Sequence, residues 1–132
     1  MVSSLYVVLG ALLLIKLSFD VVKLRTQYRV SYGDGGFYEL QTAIRVHGNA
    51  VEYIPIAMLL LVMMEMNGSN VWMIHVCGLI LLTGRLLHYY GLHHREFRWR
   101  RSGMVATYLS MVLMVIANIY YLPWEQIFSL YV

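Results

Sequence analysis

The sequence predicts an all-α integral membrane protein whose four transmembrane helices form an up-down bundle. Three observations predict it. Hydrophobic residues make up 60% of the 132 and charged ones only 13%, against about 25% charged in ordinary soluble domains. The apolar residues fall into four runs, each near the roughly 20 residues a bilayer crossing needs. The cations between those runs are confined to two of the three loops. Such a composition excludes a disordered chain, which needs low hydrophobicity and high charge. It also excludes a soluble globule, whose surface needs more charge than this. Four spans leave no room for a separate soluble domain, so residues 1–132 read as one membrane domain.

The first span covers about residues 4–22. It is uncharged through Ile15 and then carries Lys16 and Asp20, four residues apart on one helical face. No cation precedes the apolar run and no small-x-small cleavage site follows it, so the segment is expected to be a retained anchor. Lys23 to Phe37, basic and then glycine-rich at Gly33-Asp34-Gly35-Gly36, reads as a loop. A second helix is predicted from near Tyr38, its span covering about 40–66, polar in its first half and wholly apolar from Ile56 to Met64. Asn67-Gly68-Ser69-Asn70 is a turn. The third span covers about 71–92, and Arg95 to Arg101 read as a basic loop with aromatic residues. The fourth, about 103–124, carries no charge, and Pro123 marks its end.

Lys23, Arg25 and Arg29 lie in the first loop and Arg95, Arg98, Arg100 and Arg101 in the third, while the second loop and both chain ends carry no Lys or Arg. The positive-inside rule therefore predicts cytoplasmic first and third loops and both termini on the non-cytoplasmic side. The polar half of helix two and the Arg85 end of helix three then share one depth. The third-loop cations also suit anionic lipid headgroups. A net charge of +3 on a membrane-bound chain predicts no nucleic-acid partner.

Ionisable residues inside membrane helices are costly and tend to mark functional sites. Arg45, Asn49 and Glu52 fall at i, i+4 and i+7 on one face of helix two, with Tyr53 beside them and His47 nearly opposite. Arg85 and Tyr89 share a face of helix three, with His88 adjacent. Cations, one anion, an amide and phenols together suit a small ligand bearing carboxylates and an amine, since arginine captures carboxylates bidentately. A plainer reading stands beside this one: Arg45 and Glu52 neutralise each other and Arg85 snorkels to the headgroups. Lys16 and Asp20 read mainly as a structural pair. The single cysteine, Cys77, excludes an intrachain disulfide. The five histidines lack metal-ligand spacing, so no metal is predicted. The methionines and the helix-four tyrosines (Tyr108, Tyr120, Tyr121) read as packing and interface residues.

Arg45-Val-His47-Gly-Asn49-Ala-Val-Glu52-Tyr53-Ile-Pro55 resembles the helix-two signature of the MAPEG family, the membrane-associated proteins in eicosanoid and glutathione metabolism. Gly84-Arg85 followed by Tyr89-Tyr90-Gly91 resembles the family's helix-three ending. The likeness covers nearly the whole chain and is greatest to a small bacterial branch of inner-membrane proteins. It implies a homotrimer with glutathione, as co-substrate, bound between subunits near the cytoplasmic face. Carried over by position, Arg45, Asn49, Glu52 and Tyr53 would hold the γ-glutamyl end and His47 the glycyl end, with Arg85, His88 and Tyr89 lining the cavity. An arginine of the third loop would sit at the sulfur: Arg100 first, with Arg98 and Arg101 close behind. The chain departs from catalytic members in having His88 one turn after Arg85, Leu92 near a tyrosine position, and Gly103 near the place of a loop proline.

The resemblance thus implies a glutathione-dependent transferase or peroxidase acting on lipophilic electrophiles through an arginine-stabilised thiolate. Two other classes are kept open: a binding or scaffold protein without turnover, and a small proton-coupled exporter using Glu52. The exporter needs a carboxyl group kept protonated by burial, which nearby Arg45 and Arg85 oppose.

Overall fold

A computed structural model describes residues 1–129 and contains five helices: α1 (Ser3–Tyr28), α2 (Tyr38–Met66), α3 (Val71–His93), α4 (Phe97–Tyr121) and the short α5 (Trp124–Ile127). The first four are long and apolar enough to cross a membrane. Among the described residues α1 packs on α2 and α3, α4 packs on α3 and α2, and α1 does not touch α4.

Two helices differ from the sequence expectation at their ends. The stretch from Lys23 is not loop: α1 runs on to Tyr28 and stops at Arg29, whose left-handed backbone (φ 56°) closes the last turn. Lys, Arg and Gln are good helix formers, so the helix outlasts its apolar segment. Likewise Arg98, Arg100 and Arg101 lie not in a loop but in the opening turns of α4, which leaves only residues 94–96 to join it to α3. At its other end α4 stops at Tyr121, short of the expected boundary, and Pro123 separates it from α5.

Between α1 and α2, Arg25 donates to the Gly33 carbonyl at 2.8 Å, and the Asp34 carboxylate accepts the Gly36 N–H at 2.8 Å. Phe37 stacks on Tyr28 with ring centroids 4.1 Å apart. The start of α1 is held by the end of α2: Glu65 accepts from the backbone N–H groups of Val2 (2.8 Å) and Ser3 (3.1 Å) and from the Ser3 hydroxyl (2.6 Å). That carboxylate supplies acceptors that α1's first turn cannot find within its own helix.

The core lies along α2, where Ala57, Leu61 and Met64 are fully enclosed with Ile74 and Leu81 of α3 and Met114 of α4. Asn118 of α4 donates to the Leu60 carbonyl of α2 at 3.0 Å. By contrast α1 buries only Ser3, Tyr6, Gly10 and Leu17, and the outward leucines and isoleucines of all four helices suit lipid. The tightest approach is between α3 and α4. A Cβ at Gly91 would collide with the backbone of Arg100, and one at Gly103 would collide with the backbone of His88. Only glycine lets the two backbones come so close.

Candidate functional site

Helix α3 carries the centre of the polar arrangement. Arg85 is 2% exposed. Its guanidinium donates to the Asn49 side-chain oxygen of α2 at 2.7 Å, faces the His88 Nδ1 at 3.4 Å and the Met104 sulfur of α4 at 3.6 Å, and lies 5.8 Å from the centre of the Tyr53 ring. Its Nε is buried with no acceptor. Every partner is neutral; among the described residues no carboxylate comes within ion-pairing distance of Arg85. A buried cation is ordinarily paired, and this one is not. The expectation that Arg85 snorkels to the headgroups therefore gives way: the residues of α2, α3 and α4 enclose it.

The predicted residues fall into three groups. Asn49, Tyr53, Arg85 and His88 meet in the buried cluster, His88 being 2% exposed. Arg45 and Glu52 stand on the outside of the single chain and form no ion pair. The structure thus removes the reading in which those two neutralise each other. Arg45 lines a recess of about 350 Å³ beneath the glycine loop with Gly33, Asp34 and Gln41. His47 is half-buried on the same helix, with no polar partner among the described residues.

Tyr89 is not part of the Arg85 cluster. Its hydroxyl accepts from the Lys16 ammonium of α1 at 2.9 Å, and its ring packs on His93 with centroids 4.3 Å apart. Lys16 also binds Asp20 at 2.6 Å, so the expected α1 pair forms and extends to α3. The reason is geometric: residues four apart on a helix differ by about 40° in direction. Because α3 touches α1, α2 and α4, that rotation sends Arg85 to α2 and α4 and Tyr89 to α1.

At the head of α4, Arg98 and Arg101 are exposed, whereas Arg100 is half-buried and borders a recess of about 220 Å³ with Tyr38, Gly91 and Arg95. Arg100 is thus held against α3 by the Gly91 contact, one turn beyond His88. Two α4 residues were missed in the sequence. Met104 touches Arg85, and the Tyr108 hydroxyl pairs with the Tyr53 hydroxyl at 2.7 Å, the rings edge-on. They lie four apart and so share a face; that spacing was the available signal, hidden because α4 carries no charge beyond Arg101.

Four apolar helices, three of which enclose an uncompensated arginine and its amide, imidazole and phenol neighbours, define an integral membrane protein with a polar site built among its spans. The chain belongs to the MAPEG family, whose model matches residues 3–120. It is 70% identical to the inner membrane protein YecN of Escherichia coli K12 over 130 residues, covering 98% of this chain and 99% of that protein. The same identity and coverage hold for the YecN of an Escherichia coli O6:H1 strain. Four membrane-capable helices and inner-membrane relatives support an integral inner-membrane location.

Proposed function

We propose that the protein binds glutathione in the membrane and uses it to attack lipophilic electrophiles, as a transferase or peroxidase. The observation that carries this reading is the enclosed Arg85 guanidinium, which meets only neutral groups while one Nε stays without an acceptor. A tripeptide bearing two carboxylates would supply the missing anion. Asn49, Tyr53 and His88 would fix its position with Arg85. Arg45 and Glu52, whose charges are open, would take the α-carboxylate and the ammonium of the γ-glutamyl end. Tyr89, tied to Lys16, is left out of this role.

The exposure of Arg45 and Glu52 on the single chain supports assembly. Glu52 lies about 20 Å along α2 from its start, by 1.5 Å per residue, and so well inside the bilayer. An ionised side chain facing lipid there is costly, and a neighbouring subunit covering the Arg45–Glu52 face removes that cost. We take the assembly to be a homotrimer of up-down bundles, with His47 reaching a cleft shared by two subunits. Both termini would face away from the cytoplasm, which keeps the cationic loop and α4 head inside.

In the chemistry, Arg100 would sit at the sulfur. A free thiol has a pKa near 8.5, and an adjacent guanidinium favours the thiolate. The thiolate forms a bond to an electrophilic carbon as the leaving group departs with the electron pair. With a hydroperoxide it instead takes the terminal oxygen and releases an alcohol on protonation; a second glutathione then reduces the sulfenic acid, losing water. Holding both reactants in one cleft supplies proximity.

Calorimetric titration of the detergent-purified protein with glutathione tests the reading. Wild type should give saturable heat, and Glu52→Ala should bind about tenfold or more weakly, in line with losing one charge-assisted hydrogen bond. Arg100→Ala should keep most of the binding but lose the ultraviolet absorbance of the bound thiolate. Absence of heat with wild type would end the proposal. Binding with an ordinary thiol titration would convert it to a non-catalytic binding protein.

A further inference from the structure

A separate cavity of about 400 Å³ opens between the end of α1, the start of α2 and the end of α3, lined by Asp20, Lys23 and Gln27, Glu39, and Tyr89 and His93, among others. Nothing in the glutathione reading uses it. Asp20 already has its complement in Lys16 at 2.6 Å. The other two charges do not: Glu39 accepts only the Tyr28 hydroxyl, at 3.0 Å, and Lys23 has no hydrogen bond or ion pair among the described residues. They also do not reach each other, since among the described residues no second ion pair forms within 4.0 Å. One cavity thus presents an open cation on α1 and an open anion on α2, held apart.

Depth narrows the ligand. From Ser3, a hydrocarbon core of about 30 Å uses about 20 residues of helix, which brings Asp20 and Lys23 to the boundary where headgroups lie. Tyr38 and Glu39 open α2 at the same level, and His93 closes α3 there. Phe19 and Val22, next to these residues in α1, are exposed and apolar and offer a surface to acyl chains. We propose that this cavity binds the headgroup of a phospholipid carrying a primary amine, a phosphoethanolamine lipid, with the phosphate on Lys23 and the ammonium on Glu39. A primary ammonium has three N–H donors for a carboxylate. A choline headgroup has none, and a glycerol headgroup leaves Glu39 without a cation.

The test is native mass spectrometry of the purified full chain after exchange with equal amounts of phosphatidylethanolamine, phosphatidylcholine and phosphatidylglycerol of one acyl length. Wild type should retain the ethanolamine lipid about three- to tenfold over either other, the range of one or two partly exposed charge-assisted contacts. Lys23→Gln should erase that preference, and Glu39→Gln should shift it toward phosphatidylglycerol. If Glu39→Gln melts early through loss of the Tyr28 contact, Lys23→Gln alone decides. Equal retention of all three lipids by wild type, or an unchanged preference in Lys23→Gln, overturns the proposal. Displacement by free phosphoethanolamine at the lipid's own concentration would overturn the lipid source. Displacement by glutathione would give the cavity to the tripeptide instead, and would leave the Arg85 site to be judged by its own titration.

Discussion

Arg85 and Lys16 are both cations attached to α3, one as part of it and one through the hydroxyl of Tyr89, yet their charges are met in opposite ways. Arg85 is enclosed and meets only an amide oxygen, an imidazole, a thioether and a ring face. Lys16 is about half exposed and holds a carboxylate at 2.6 Å. The difference teaches that burial alone does not identify a ligand site, and neither does charge. A cation that is both dry and without an anion retains an unsatisfied demand, whereas the surface pair has none. The Lys16 pair ties α1 to α3; the Arg85 cluster has no anion among the described residues.

Three substitutions break or sharpen that contrast. The largest effect is expected from Gly103→Val, whose side chain would collide with the backbone of His88. Overpacking of this kind costs about 3 kcal/mol, so thermal unfolding in detergent should shift down by several degrees and glutathione binding should be lost together with it. Asn49→Leu comes next. It removes the one strong acceptor of Arg85, and a buried hydrogen bond to a charged group is worth about 1.5–3 kcal/mol. Denaturant titration should show that loss, and added glutathione should recover part of it by supplying an anion. The smallest is Lys16→Met, for which a surface pair predicts less than about 1 kcal/mol and unaltered glutathione affinity. A larger loss from Lys16→Met than from Asn49→Leu would reverse the comparison.

The four spans were legible because a bilayer imposes length and hydropathy together, and the turn at residues 67–70 was legible from its Asn, Gly and Ser. Helix ends were not. Hydropathy marks where lipid stops, while Lys23, Arg25 and Gln27, and likewise Arg98 to Arg101, continue as good helix in water or among headgroups. The membership of Asn49, Tyr53, Arg85 and His88 in one cluster followed from periodicity and resemblance. That Tyr89 turns away, and that Tyr108 and Met104 turn in, depends on which neighbour each face of α3 and α4 meets. Periodicity gives the faces of a single helix; it is silent on what stands opposite them. The openness of Lys23 and Glu39 is equally hidden, since hydropathy places Lys23 beyond the first span.

The glycine contacts between α3 and α4 have a mechanical corollary. Backbones pressed together at Gly91 and Gly103 have no slack between them, so the two helices must tilt or twist as one stave. His88 and Arg100 would travel together, keeping their spacing while α2 shifts beside them. Any breathing that admits a bulky guest to Arg85 would then open where α2 meets α3 and α4, and leave the α3–α4 seam shut.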